Sequence, residues 1–396
     1  MQAIPTFALD NWIRDTVPKC TIRLDGSCAS YQSLDDLRKL APDSSQDPVN
    51  SSLALDYGET SGLRSLRERI AYLHSTDRVK VTAEDVIITS GSIAANYLAL
   101  STLLGPKDHV ICQYPTYGQL ITLPRHLGAE VSLWEAEVEN NWEPDVKELA
   151  RLIKPNTKAI IINNPCNPTG AVLRQPVLDA ILKIVQEKSL LLLSDEVFRP
   201  LFHNSTREQP SSAVSLGYRK VLCTGSLSKA YGLPGIRVGW VVSPDPEIIS
   251  RMLTVRDYTT ITVSQLDQGV ASFALSPAVL PRLLEKNLSQ CGKGIALIDH
   301  FIKENDRWCS WVPPAGTGVA FILIRDDTGR PVDAVDFCTD FADKRGICLI
   351  PAGYSFSDQG RSDFEGYIRL GISYCPELEQ ALQELSTFLQ IYMQAL

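Results

Sequence analysis

Between residues 86 and 242 the chain turns apolar for a few residues at a time without alternating: Val86-Ile87-Ile88-Thr89, Val110-Ile111-Cys112-Gln113, Ala159-Ile160-Ile161-Ile162, Leu190-Leu191-Leu192-Leu193-Ser194, Val221-Leu222-Cys223-Thr224 and Val238-Gly239-Trp240-Val241-Val242. A strand that is apolar on both faces leaves no side for water, so it must lie in a sheet covered above and below. Helix-forming stretches separate these runs, among them residues 93–100. Strands alternating with helices predict an α/β fold with a large, doubly wound, mostly parallel sheet. Ligands of such sheets bind beyond the carboxyl ends of the strands. The loops after the runs therefore carry the chemistry.

The first run leads into Ser90-Gly91-Ser92 and a helix start at Ile93, a small-residue turn whose free N–H groups and helix dipole suit a phosphate. It matches neither G-x-x-x-x-G-K nor G-x-G-x-x-G. The second leads into Tyr114-Pro115-Thr116-Tyr117-Gly118, and the third into Asn163-Asn164-Pro165-Cys166-Asn167-Pro168-Thr169-Gly170, where two X-Pro steps and a closing glycine restrict the loop to an unusual shape. The fourth ends in Asp195-Glu196-Val197-Phe198-Arg199. Between the last two runs lies Ser226-Leu227-Ser228-Lys229-Ala230-Tyr231-Gly232-Leu233-Pro234-Gly235-Ile236-Arg237. A loop lysine is ordinarily a solvated cation. Here Ser226, Ser228 and Arg237 supply hydroxyls and a guanidinium fork suited to a phosphate. A lysine partly desolvated beside another cation keeps a neutral fraction able to form a Schiff base.

Composition narrows the classes of partner. A net charge of -8 argues against nucleic acid as the main ligand, and the phosphate must be met locally. No run of about 18 apolar residues would cross a membrane, and the N-terminus lacks a basic segment followed by a long apolar one, so a soluble, cytoplasmic chain is expected. The cysteines are scattered without a C-x-x-C pair, several in strand-like runs, and read as reduced thiols. No histidine falls in a ligand spacing such as H-E-x-x-H, so no metal is expected. With 396 residues the chain can build one large core and a smaller second domain.

The lysine segment, N-P-C-N-P-T-G at 164–170 and Asp195 together resemble the class I/II aminotransferases, the fold-type-I pyridoxal-phosphate enzymes. That resemblance implies pyridoxal 5'-phosphate bonded to Lys229, with Asp195 pairing the ring nitrogen, Tyr117 on the ring and Asn167 at the phenolic oxygen and the substrate carboxylate. It implies Ser92, Ile93, Ser226, Ser228 and Arg237 at the phosphate, joined by Tyr57 from the other subunit of a homodimer. Arg369, on the strand-like run 367–373, matches the arginine that clamps the substrate α-carboxylate, and Gly26 and Ser27, with Asp25, lie on an arm that crosses the pocket mouth. A surface turn reads equally well from the composition of residues 25–28. One departure stands out: the family usually carries a tyrosine where this chain has Phe198, which also borders the cofactor.

The resemblance divides the chain into residues 1–45, an arm and part of a smaller domain; 46–275, the large cofactor-binding domain; and 276–396, the rest of the smaller α/β domain. Helices are expected at 246–255 and 277–305. The implied activity is that of an enzyme acting on an L-amino acid, with Lys229 moving the α-proton and Asp195 sustaining the electron sink. Trp12-Ile13-Arg14, Gly26-Ser27 and Ser33-Leu34-Asp35-Asp36-Leu37 are similar to capreomycidine synthases, which cyclise hydroxylated arginines, and Phe198 is compatible with that branch. Elimination and cyclisation of a hydroxylated, arginine-like substrate is the reading preferred. Transfer of the amino group to a 2-oxo acid and an arginine oxidase remain open. A cofactor-sensing regulator would need a basic helix-turn-helix extension and is disfavoured.

Overall fold

A computed structural model of the chain describes residues 4–43, 46–203, 209–373 and 375–395. Residues 1–3, with which the N-terminal stretch considered for a leader begins, lie outside the described residues. The apolar runs form one seven-stranded sheet, in spatial order Val86–Thr89, Gly239–Val242, Val221–Ser226, Leu191–Asp195, Thr157–Asn163, His109–Tyr114 and Glu130–Glu135. Gly239–Val242 runs antiparallel to both neighbours, and the remaining pairings are parallel.

Successive residues of a strand enter different cores, which is the reason the runs do not alternate. Ile88, Ile160, Ile162, Leu192, Val221 and Val242 belong to one buried cluster. Ile87, Ala159, Ile161, Leu193, Leu222 and Val241 belong to another on the opposite face. Helices Arg64–Leu73 and Gln175–Lys188 cover the first face through Leu66, Ile70, Leu178 and Ile181. Helices Ser92–Leu103 and Pro246–Arg256 cover the second through Ala95, Ala99, Ile249 and Met252.

A second, antiparallel sheet orders Ile350–Pro351, Tyr367–Gly371, Val319–Ile324 and Cys309–Trp311. The early strand Ile22–Arg23 joins this region by pairing in parallel with Ile347–Cys348, and the Gly371 amide donates to the Leu24 carbonyl at 2.8 Å. The smaller layer is thus built from both ends of the chain. Among the described residues no helix is long and apolar enough to cross a membrane, and the cysteines are free.

Two expectations need correction, and one helix lies outside them. Residues 25–28 are not a surface turn: Asp25 and Ser27 are buried, and the segment is held by the bonds of Leu24 to Cys348 and of Ala29 to Lys229. Their turn-like composition is overridden by hydrogen bonds to distant strands. A further helix spans Gln265–Ala274, where the sequence pattern gives no clear signal; Gly269 sits at its centre and weakens its intrinsic propensity, and the helix rests on the Ser264 cap and on burial of Val270, Ala271 and Ala274. The long helix starts at Leu280, after the turn that contains Pro277.

The lysine loop and the arm are locked together. The Ala29 amide donates to the Lys229 carbonyl at 2.9 Å and the Gln32 amide to the Gly232 carbonyl at 3.0 Å. Gly232 has φ +67, and a Cβ there would lie 2.1 Å from the Ser30 carbonyl oxygen, so both its backbone conformation and its surroundings require glycine. Gly232→Ala is expected to destabilise the protein by roughly 1–3 kcal/mol, read as a lower denaturation midpoint at unchanged m-value; an unchanged midpoint would show that the arm is not tied to the loop.

Candidate active site

At the carboxyl edge of the large sheet, under the arm, lies a cavity of about 340 Å³, within the range of roughly 300–1,000 Å³ for small-molecule sites. The sheet register explains why its polar groups converge. Asn163 pairs with Asp195 and Asp195 with Thr224 as Cα neighbours, so the strand ends align and the loops after them face one space. Volume alone does not pick the site: a cavity of about 950 Å³ near Arg174 and His203 touches the Pro-rich motif only at Thr169 and holds none of the candidate site residues.

One end of the cavity is built for an anion. The helix Ser92–Leu103 begins after Gly91, at φ 86, with no side-chain cap, which leaves its first N–H groups free. Ser92, Ile93, Ser228 and Arg237 line this end. A Cβ on Gly91 would stand 2.6 Å from an Arg237 terminal nitrogen, and one on Gly239 would meet the Ser92 amide at 2.6 Å. Two glycines thus let the guanidinium and the helix start approach each other. Ser226 is not on the wall; it is buried behind it, where its hydroxyl accepts from the Ser228 amide at 3.0 Å and bonds the Ser228 hydroxyl at 2.7 Å.

Deeper in lies Asp195, with its carboxylate accepting from Asn96 Nδ2 at 2.9 Å and from the Val197 amide at 3.0 Å. Burial raises its pKa to about 6 despite these bonds. Sequence reasoning misses Asn96. It sits on the apolar helix 92–103 and accepts from the Thr224 hydroxyl at 2.6 Å; an amide in so apolar a helix is the signal that could have found it. Tyr117 and Phe198 also line the cavity. Burial and nearby Asp10 push the Tyr117 hydroxyl well above its ordinary pKa.

Lys229 Nζ donates to Ser27 Oγ at 2.7 Å, so the arm orients the amine. Arg369 is fully buried, with one terminal nitrogen donating to Asn167 Oδ1 at 3.3 Å and the other to the Asp25 carbonyl. Its Nε has no partner, and burial lowers its pKa to about 10. The Asn167 amide donates to Asn163 Oδ1 at 2.9 Å, which holds the Pro-rich loop against the strand end. Gly26 lies on the same wall. Asp10, on the helix Ala8–Thr16, faces the cavity as well, and no sequence motif marks it.

Tyr57 stands apart: it is 80% exposed and lies outside the cavity of its own chain. His74, Glu196 and Cys223 cluster beneath the sheet edge, but both ring nitrogens of His74 are engaged, one with Ser212 Oγ at 2.8 Å and one with Trp240 Nε1 at 3.2 Å.

These features fit pyridoxal phosphate. A capless helix start opposite a guanidinium suits its phosphate, a desolvated carboxylate suits a cationic ring nitrogen, and the orphaned Nε of Arg369 suits a substrate carboxylate. The profile of the family described as aminotransferase class I and II matches residues 29–351. Capreomycidine synthase of Streptomyces vinaceus is 30% identical over 391 residues, covering 97% of this chain and 94% of that one. A pyridoxal-phosphate-dependent aminotransferase from Streptococcus suis superposes with a TM-score of 0.87 at 32% identity, covering 99% of both chains. The pyridoxal-phosphate-dependent cyclase OrfR superposes with a TM-score of 0.86 at 25% identity over 99% of both.

The raised pKa of Asp195 has a thermodynamic sign. Between an unfolded value of roughly 4 and the folded value of about 6, the folded cofactor-free protein holds a proton that the unfolded chain has lost, so this group's contribution falls as pH rises through that window and is level above it. The stability of wild type relative to Asp195→Asn, both without cofactor, is expected to fall by on the order of 3 kcal/mol between pH 4 and 7. Urea denaturation across that range checks it, and a constant difference would mean that the carboxylate titrates normally.

Proposed function

The chain belongs to the class I and II aminotransferases and is a pyridoxal-phosphate-dependent enzyme, and from that premise we propose that it acts on an L-amino acid with a cationic, arginine-like side chain, by elimination and ring closure. The observation that carries this reading is Asp10. Its carboxylate lines the pocket and has no hydrogen-bond or ion-pair partner among the described residues. A carboxylate kept unpaired at a substrate pocket favours a ligand that brings its own cation, and a guanidinium meets it through two N–H groups. The similarity to capreomycidine synthase along nearly the whole chain supports the same reading.

When bound, the cofactor supplies an aldehyde that takes up an amine and a ring that withdraws electrons from the substrate α-carbon. Lys229 Nζ is the amine that would hold it and the base that would take the substrate α-proton, steered by its hydrogen bond to Ser27. Ser92, Ser228 and Arg237 hold the phosphate, with Ile93 beside it and Ser226 bracing Ser228. Asp195, steadied by Asn96, offers the ring nitrogen a buried negative charge that favours its protonated form. Tyr117, on the cavity wall, would pack on the ring. Asn167 and Arg369 receive the substrate carboxylate, the latter through its free Nε. Gly26 and Ser27 close the mouth.

Phe198 lines the pocket without a hydroxyl, so no donor from this position reaches the cofactor's phenolic oxygen. A site without that donor would hold a different proton balance at the amine it binds, which suits departure of a β or γ substituent from the substrate. A hydroxyl leaves with a proton as water, and a guanidinium nitrogen closes the ring. Tyr57, exposed on its own chain, completes the phosphate site of a neighbouring copy, which makes the working unit a homodimer. Transfer of the amino group is the second reading, supported by the Streptococcus suis aminotransferase.

Holoenzyme incubated with hydroxylated arginines is expected to release a cyclised, dehydrated product seen by mass spectrometry, and arginine, which has no hydroxyl to lose, is expected to give none. A 2-oxo acid together with pyridoxamine phosphate would establish the second reading instead. Asp10→Asn is expected to raise KM for these substrates about ten- to hundredfold while KM for a neutral amino acid of similar length stays within a factor of about two; equal changes for both would rule out a cation contact. Lys229→Ala is expected to abolish the visible absorbance of the internal cofactor linkage.

A further inference from the structure

Along the long helix Leu280–Glu304 the buried row includes Leu283, Asn287, Cys291, Gly294 and Ile298, a spacing that keeps these residues on one side of the helix. One member of that set is a polar amide. Asn287 is wholly buried, and an amide among apolar neighbours is unfavourable unless both its ends are hydrogen-bonded. Here both are. Its Nδ2 donates to the Ala230 carbonyl at 2.9 Å, and its Oδ1 accepts from Gln32 Nε2 at 3.3 Å. Ala230 directly follows Lys229, and Gln32 belongs to the arm that carries Ser27.

Gln32 extends the contact in three directions. Its Nε2 also donates to the Ser30 carbonyl at 2.6 Å, its Oε1 accepts from Lys286 Nζ at 2.8 Å, and its backbone amide meets the Gly232 carbonyl. The helix is fixed on the side of the smaller layer as well, because a Cβ on Gly294 would collide with the Ile372 carbonyl oxygen. Asn287 therefore stands where the lysine loop, the arm and the helix packed on the smaller layer meet. Lys229 is restrained at two points that depend on this junction: its carbonyl accepts from the Ala29 amide, and its amine donates to Ser27 Oγ at 2.7 Å. A long, flexible side chain has many rotamers to lose, so the way the loop and the arm lie against each other sets where the amine is held.

We propose that Asn287 is a positioning residue for Lys229: by tying the Ala230 carbonyl to the arm through Gln32, it presents the amine in the orientation in which it bonds an aldehyde. This rests on the role given to Lys229 in the preceding section and extends it to a residue that does not line the pocket. Leucine at this place would continue the apolar row and let the helix pack, but it could not hold the two backbone segments together. The amine would then have to be ordered when the bond forms, which weakens the bond without altering the rest of the pocket.

The test compares two ligands of the full chain freed of cofactor. Pyridoxal phosphate can bond Lys229, whereas pyridoxamine phosphate, with an amine in place of the aldehyde, fits the same pocket without that bond. The ratio of their dissociation constants reports on the lysine and cancels general damage to the pocket. Fluorescence titration gives this ratio for wild type, Asn287→Leu, Gln32→Met and Lys229→Ala. Wild type is expected to prefer pyridoxal phosphate, and Lys229→Ala to lose that preference. Asn287→Leu is expected to lower the preference about tenfold while its affinity for pyridoxamine phosphate stays within a factor of about two. Gln32→Met is expected to lower it about threefold, and carries the test should Asn287→Leu fail to fold. A preference unchanged from wild type in these two variants, whether or not both ligands bind more weakly, makes the amide a support of the fold alone and overturns the positioning role. A Lys229→Ala that keeps the wild-type preference overturns the role of Lys229 itself, and the proposal with it.

Discussion

Burial of the seven-stranded sheet on both faces is the constraint on which the site depends. With apolar clusters above and below, polar groups are unfavourable in the middle of the sheet, and the chemistry falls to the strand ends. Parallel strands in register then deliver Asn163, Asp195 and the Ser226–Lys229 loop to one edge. The reversed strand Gly239–Val242 returns the chain after Lys229 and sets Gly239 against the start of the helix at Ser92. One sheet edge thereby gathers an anion cradle, a buried acid and an amine.

The acid is the most strained part of that arrangement electrostatically. Asp195 is deeply buried, and two hydrogen bonds do not offset its desolvation. A site that holds an acid in this state favours a cation, which fits the protonated ring nitrogen in the proposed function. At the other end of the pocket Arg369 is the mirror case, a buried cation with a free N–H waiting for a carboxylate. Lys229 lies between the arm and the sheet edge, and Asp10 at the cavity wall.

The arm makes the smaller layer part of the site rather than an appendage. Its segment from Leu24 to Gln32 bonds in turn to Cys348, Lys229 and Gly232, linking the second sheet to the lysine loop. Hence a change far along the chain, in the strand Tyr367–Gly371, can be felt at the reactive amine through Asp25 and Ser27.

Much of this was legible in the amino-acid order. Unbroken apolar runs determine strands covered on both faces, because an exposed apolar face is unfavourable in water, and the loops after them are local motifs whose prolines and glycines restrict the backbone wherever they occur. The lysine, aspartate, asparagine and arginine candidates could be named because those motifs, with the strand carrying Arg369, resemble a known family. Tertiary structure alone decided that Asn96 supports Asp195, that Ser27 bonds Lys229 and that Asp10 faces the pocket, because each depends on side chains far apart in the chain. It also decided that Asp25 and Ser27 are buried despite a turn-like composition: hydrogen bonds to distant strands outweigh local preference, and no local pattern encodes which strands those will be.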